Sequence, residues 1–517
     1  MFIRAEHSTR MPFLRHLSLA IHPPSAELSS ALKDLLLELA PLGRIQSLRI
    51  APSEAYISSD PELAGALTAL SSLTHLEFRG AKAISCGVLD GIRSPLESVN
   101  IRLIENWERL SPDEADYDDN ISCNAYDNAV DVVGHLHRFQ DTLRQVELVY
   151  PLKSAPDWPA LPRVELLMIN YFYAPITLHY VRAFPNLVHL VVGDVIDFWG
   201  NMLHTTVHEH RECNRAQQAE YYRAWPSLRT CGGTLHALYM FALPFHIARL
   251  TIQCISRCLC GVEPAWLSAV LDDVRPSHLQ LHIWPVTHLH SVWADAFRTA
   301  LTGERDHPLE SLHFMLRLSA ADIDLKNKLL ELVRGLSSLT LFSMEIICDG
   351  ILEIPYFVMA AQPEDHWSRP LLGSFDPGFL FCVEDELRET DMGVVAKRFL
   401  DAVPSLKEVA IRWKGRRQLP IDVVDIRLRR RKDPVGQGEI VESEMKVLIH
   451  KEDGQGIDEE ETDWESEEHE ADDDDDEDYV PDDEDYDGDS DSTSGSEDEE
   501  DNDVVPGEDC QSWSAGS

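Results

Sequence analysis

The sequence predicts an α/β fold in which short parallel strands lie side by side and alternate with helices covering one face of the sheet. Three observations lead there. A short unit recurs along the chain, as in LSSLTHLEFRGA (70–81), FPNLVHLVVGDV (184–195) and VPSLKEVAIRWK (403–414): an apolar residue, a Pro or Ser, then Leu-x-x-Leu-x-apolar. The end of each unit alternates apolar and polar residues with period two, the mark of a strand with one buried face. Between units stand segments whose apolar residues repeat at helical spacing.

In chain order the units are PFLRHLSL (12–19), GRIQSLRI (43–50), 70–81, SPLESVNI (94–101), DTLRQVEL (141–148), LPRVELLMI (161–169), 184–195, GTLHALYM (233–240), HIARLTI (246–252), SHLQLHI (277–283), HPLESLHF (307–314), LSSLTLFSM (336–344) and 403–414. Leu76 and Phe78, Val99 and Ile101, Leu190 and Val192, and Val409 and Ile411 are inward pairs. The leading Leu, three positions earlier, turns inward where the chain enters the strand. Stacking lets each unit bury a face that it could not bury alone. Among the helical segments, 25–43 sets Leu28, Ala31, Leu32, Leu35, Leu36 and Leu39 on one face, with Ser25 as N-cap and Gly43 past the end. Segment 292–303 repeats the pattern through Trp293, Ala296, Phe297, Ala300 and Leu301, and 324–336 and 394–403 do likewise.

On these units the chain resembles leucine-rich-repeat proteins over residues 11–414. The resemblance implies an irregular solenoid, with parallel strands on a concave face and helices and loops on a convex face. At the position where that family places Asn or Cys, this sequence has Ala81, Val195 or Lys414, so the usual Asn ladder is absent and an uneven arc is expected. The rhythm Pro-x-Leu-x-x-Leu-x-apolar is similar to the repeat regions of fungal F-box proteins. That likeness implies the substrate-recognition subunit of a cullin-type ubiquitin ligase, with a Skp-type adaptor as partner. The stretch ahead of Pro12–Leu19 in this sequence is not expected to hold the helical F-box of those proteins.

The expected organisation is a solenoid over 1–420, a basic linker over 421–450 and a disordered acidic tail over 451–517. Insertions are expected near 104–128, 200–225 and 351–390. The tail carries 33 Asp and Glu against one Lys, and so holds most of the chain's formal charge of −45. Such a segment cannot bury enough apolar surface to offset its chain entropy. It can solubilise the protein, or attract basic proteins such as histones, as the similarly arranged acidic leucine-rich nuclear phosphoproteins do. Ser494 and Ser496 each have an acid three residues on, a pattern for acidophilic kinases. The run Arg427, Arg429, Arg430, Arg431 and Lys432 reads either as a solvated or tail-binding stretch or as a nuclear-import signal. The acidic balance argues against direct nucleic-acid binding. Ten sparse cysteines point to a reducing compartment, and no apolar run is long enough for a membrane, so a monomer in cytoplasm or nucleus is expected.

Little chemistry is legible. His204, His208, His210 and Cys213 are ligand types at helical spacing, but HTTVH lacks the Glu of a metalloprotease helix; a metal-dependent hydrolase is the weakest reading. Cys254, Cys258 and Cys260 read as core packing. No nucleophile elbow or phosphate loop occurs. The expectation is therefore a non-enzyme without cofactors, binding a protein through the strand residues between the inward ones: His75, Glu77, Arg79, Asn100, Arg102, Glu147, Asn170, His189, His313, Glu408 and Arg412.

Overall fold

The computed structural model describes residues 13–21, 25–103, 130–149, 155–171, 175–194, 204–220, 225–255, 263–284, 299, 301, 308–317, 330–331, 333–347, 390–414, 422–432 and 439–449. The expected insertions at 104–128 and 351–390, nearly all of helix 292–303, Cys258 and Cys260, and the acidic tail with Ser494 and Ser496 lie outside them, except for Thr390 at the edge of the last insertion.

Twelve of the thirteen units place a strand where the alternation predicts it. The strands are β1 (His16–Ala20), β2 (Ser47–Ala51), β3 (His75–Ala81), β4 (Ser98–Leu103), β5 (Gln145–Val149), β6 (Leu166–Tyr171), β7 (His189–Asp194), β8 (Thr230–Thr234), β9 (Arg249–Ile255), β10 (His278–Trp284), β11 (Ser311–Arg317), β12 (Leu341–Ile347), β13 (Glu408–Lys414), β14 (Asp422–Lys432) and β15 (Glu439–Ile449). They form one open sheet whose spatial order is the chain order. Pairing is parallel from β1 to β13 and antiparallel from β13 to β15.

The helices are α1 (Ala26–Leu39), α2 (Ser53–Ser59), α3 (Glu62–Thr68), α4 (Ala83–Val88), α5 (Val132–His135), α6 (Thr177–Ala183), α7 (His204–Glu220), α8 (Leu235–Phe241), α9 (Glu263–Val274) and α10 (Met392–Ala402). α1 starts as its sequence requires: Ser25 Oγ accepts from Leu28 N at 3.1 Å, and Gly43 ends the following turn at φ +54°. α10 is capped by Asp391, which accepts from Gly393 N and Val394 N.

Helices and sheet share one core. In register across the strands, Leu48, Leu76, Val99, Val146, Leu167 and Leu190 form one buried row, and Ile50, Phe78, Ile101, Leu148, Ile169 and Val192 form the next. The leading residues make a third column, with Ile45, Leu73, Leu96, Leu143, Val164 and Leu187 at most 1% exposed. The small residue before the leading Leu has a specific task. Ser72 Oγ donates to Ile45 O at 2.8 Å, Thr142 Oγ1 to Leu96 O at 2.8 Å, Ser338 Oγ to Leu309 O at 3.0 Å and Ser405 Oγ to Leu339 O at 2.8 Å. Each hydroxyl thus ties its unit to the leading carbonyl of the unit before. This ladder satisfies carbonyls that enter the core without a strand partner.

Two expectations need correction. GTLHALYM is not a strand unit. β8 lies just ahead of it, over TCGGT, and Leu235 begins α8, capped by Thr234 Oγ1. Two glycines lower the strand propensity there and hide the unit Leu228-x-x-Cys231-x-Gly233. Residues 421–450 are not a linker but mostly the hairpin β14–β15, because Ile426 and Leu428 alternate with charged residues and bury against the core. The insertion expected near 200–225 lies between β7 and β8 and holds α7, which is packed against α8. Val207, Arg211, Asn214 and Gln218 form its buried face. Arg211 Nη1 donates to Tyr239 O at 2.7 Å, Asn214 Nδ2 to Met240 O at 2.8 Å, and Gln218 Nε2 to Phe241 O at 2.9 Å. These side chains satisfy the last carbonyls of α8, which its own helix leaves open.

Candidate partner-binding face

The alternation that buries one face of the sheet leaves the other open, and all eleven expected face residues occupy it. Three rows cross it in register. The first runs through Ser47, His75, Ser98, Gln145, Leu166 and His189, and ends on Glu408 of β13. The second contains Arg49, Glu77, Asn100, Glu147, Met168 and Val191, and returns as Gln280, His313 and Ser343. The third contains Arg79, Arg102 and Asn170, then His282, Glu345 and Arg412.

Two polar patches stand on these rows. In the first, Glu147 on β5 accepts from Asn100 Nδ2 at 2.7 Å and from Arg102 Nη2 at 3.1 Å, both on β4. Glu77 pairs with Arg79 on its own strand, and Arg49 Nε of β2 lies 3.5 Å from Glu77. These carboxylates are 22% and 26% exposed, so their ion pairs are partly shielded and hold long side chains in fixed geometry. Arg49 Nε, Arg102 Nε and Asn100 Oδ1 have no hydrogen-bond partner. Between the pairs lies a hollow of about 280 Å³ lined by Arg49, His75, Glu77, Asn100, Glu147 and Met168, among others.

In the second patch Gln280 Nε2 lies 2.7 Å from His282 Nε2, and His313 Nδ1 bonds Ser343 Oγ. Burial holds both imidazoles below the ordinary histidine range; His313 lowers His282 further, Glu345 opposes both shifts, and Arg412 lowers His313. Arg412 Nη2 donates to Asp425 of β14 at 3.2 Å, and Arg429 Nε donates to Glu408 at 2.9 Å. Between the patches the face is low, with Asn170, Gly193 and Gly232 in its rows. His189 Nδ1 lies 2.6 Å from Thr230 Oγ1.

Arg49, Met168, Gln280, His282 and Glu345 were missed by sequence reasoning. The signal was present, since Arg49, Met168, Gln280 and His282 are between-residues of recognised units and Glu345 stands one residue past the unit 336–344, but these units were not read through to their outward positions. The basic run is also built in. Arg427 lies 3.6 Å from Asp425, Arg431 lies 3.1 Å from Glu442, and Arg430 Nη1 donates to Pro404 O at 3.3 Å. A strand engaged in this way differs from the free basic peptide that an import signal presents; Lys432 ends the strand.

The other chemical candidates do not converge. Among the described residues no group of three or more His, Cys, Asp and Glu could hold a metal ion. His208 Nδ1 lies 3.0 Å from Tyr239 Oη. Burial pushes the thiols of Cys86 and Cys231 up to about 12, away from the reactive thiolate. No helix among the described residues is long and apolar enough to cross a membrane. No family model matches this chain, and no curated protein matches it.

Proposed function

We propose that this chain is a non-enzymatic protein-binding scaffold, an irregular leucine-rich-repeat solenoid whose open strand face recognises a protein partner. The observation that carries this reading is the pairing of outward side chains across neighbouring strands, Asn100 and Arg102 with Glu147 above all. Side chains fixed before binding lose less entropy on contact. The repeated units, the hydroxyl ladder and the chain-ordered sheet support the solenoid reading. The partner in this proposal is the substrate of an F-box-type ubiquitin ligase, reached with a Skp-type adaptor. Crosslinking mass spectrometry in cells tests the face: crosslinks from β2–β6 to one partner should vanish in the Arg102→Glu/Glu147→Arg double variant only if that partner reads geometry and not charge alone, and in Glu147→Arg in either case. Crosslinks unmoved by both variants would end the proposal. A full chain that captures no Skp-type adaptor would remove the ligase role and leave the scaffold.

The density of carboxylates in 451–517 favours a second reading, in which an acidic-tailed nuclear protein holds histones or other basic proteins. Residues 455–517 form a unit separate from the sheet unit, Met1–Gly454, so their removal should leave the sheet folded. Salt-sensitive histone binding should disappear with that segment; binding that survives would count against this reading.

A further inference from the structure

β15 is the outer edge of the sheet, and from Val441 to Lys446 it is exposed on both faces. The cause lies in the cover. α10 packs on β13 and β14. The apolar row through Leu428 and Ile426 of β14, each 5% exposed, continues onto β15 as Ser443 and Met445. There Met445 is 64% exposed and Val441, on the same side, 47%. Sheet edges are ordinarily shielded by Pro, bulges or charged side chains, and here the charges, Glu442, Glu444 and Lys446, all stand on the side away from the apolar row. Residues 441–446 hold no Pro, and β15 pairs with β14 over eleven residues without a register shift.

We propose that β15 pairs antiparallel with β15 of a second copy of this chain, about a twofold axis perpendicular to the sheet, so that two sheets continue into one. Keeping the apolar row on one side restricts the register, because a slip of one residue turns every side chain over. Centring on Ser443 sets Glu442 against Glu444 of the second copy, twice. Centring on Glu444 places Glu442 opposite Lys446 of the second copy, twice, but sets the Glu444 carboxylate against that of the second copy. Centring on Met445 sets Met445 against Met445 and places Glu444 opposite Lys446 of the second copy, twice. Only this last register joins apolar contact with two attractive cross-strand pairs and sets no like charges against each other. It also starts the two acidic segments at opposite ends of the interface, about 27 Å apart for eight residues of strand, well beyond the screening length near 8 Å in physiological salt.

Sedimentation of the full chain tests the proposal. Wild type should form a dimer. Lys446→Glu and Glu444→Lys should each weaken it about tenfold or more, because two attractions become two repulsions. Both substitutions also break the 2.8 Å contact from Lys446 Nζ to Glu444 within the strand, so neither variant alone is decisive. An equimolar mixture of the two variants is decisive. One chain then carries lysine at both positions 444 and 446 and the other carries glutamate at both, so each strand stays internally like-charged while every pair across the interface is attractive. The mixture should recover dimers. Circular dichroism confirms that each variant is folded. A monomeric wild type, a dimer indifferent to both substitutions, or a mixture no tighter than its components would each overturn the proposal.

Discussion

Two glycines one residue apart in β8 separate the two faces of the sheet. Gly233 points to the covered face, and a Cβ there would stand 2.0 Å from the carbonyl oxygen of Val192 on β7. Gly232 points to the open face, where a Cβ would meet the Thr251 side chain at 3.4 Å, an ordinary contact. The covered face has no slack, because each strand is pressed between its neighbours and the helices. The open face has room, so what stands there is set by chemistry and not by packing. The same division separates the Leu, Ile and Phe rows from the Arg, Glu and His rows.

The largest effects should therefore come from the covered face. Phe342 is fully buried, 4.8 Å from the Phe399 ring of α10 and 6.1 Å from the Phe314 ring of β11. Phe342→Ala empties the junction of helix and sheet and should cost about 4 kcal/mol in urea unfolding. Gly233→Ala comes next, at about 3 kcal/mol, since its clash is with backbone and no rotamer can relieve it. Gly232→Ala should stay within about 0.5 kcal/mol. Equal costs at the two glycines would remove the distinction between the faces.

This asymmetry also explains what the sequence made legible. The covered face is written twice, once in strand alternation and once in helical spacing, so twelve of the thirteen strand units could be placed. The unit at β8 escaped because Gly232 and Gly233 have no side chains to alternate. The hairpin escaped because the charges of Arg427, Arg429 and Arg431 dominate the stretch, while Ile426 and Leu428 carry the period between them. On the open face the outward positions could be named, but not their pairing. That Glu147 holds Asn100 and Arg102 depends on β4 and β5 lying in register, across an interval of some 45 residues that no local pattern spans.

The hydroxyl ladder sharpens the comparison at a smaller scale. Ser405 Oγ serves the Leu339 carbonyl at the mouth of the covered side. Ser405→Ala leaves that carbonyl short of a donor and should cost about 1 kcal/mol, while Ser405→Thr should retain most of the bond. A cost that is the same for both would place the effect in packing and not in the hydrogen bond.

The smallest effect should come from the open face, and it should depend on pH. His282 on β10 and His313 on β11 are half-buried and held below their ordinary value of 6.5, chiefly by burial. Glu345 from β12 draws both upward, and Arg412 from β13, itself bonded to Asp425 of β14, pushes His313 down. A depressed folded value means that the fold prefers the neutral rings. Their contribution to stability is present above about pH 6.5 and is lost progressively as pH falls from there to the lower folded values. The urea midpoint of wild type should therefore drop more between pH 7.5 and 5.0 than that of His282→Gln/His313→Gln. Carboxylates elsewhere titrate equally in both proteins, so the difference isolates the two rings. Parallel pH profiles would mean that the open face keeps its histidines as well hydrated as the unfolded chain does, and that even its half-buried positions carry no part of the fold's stability.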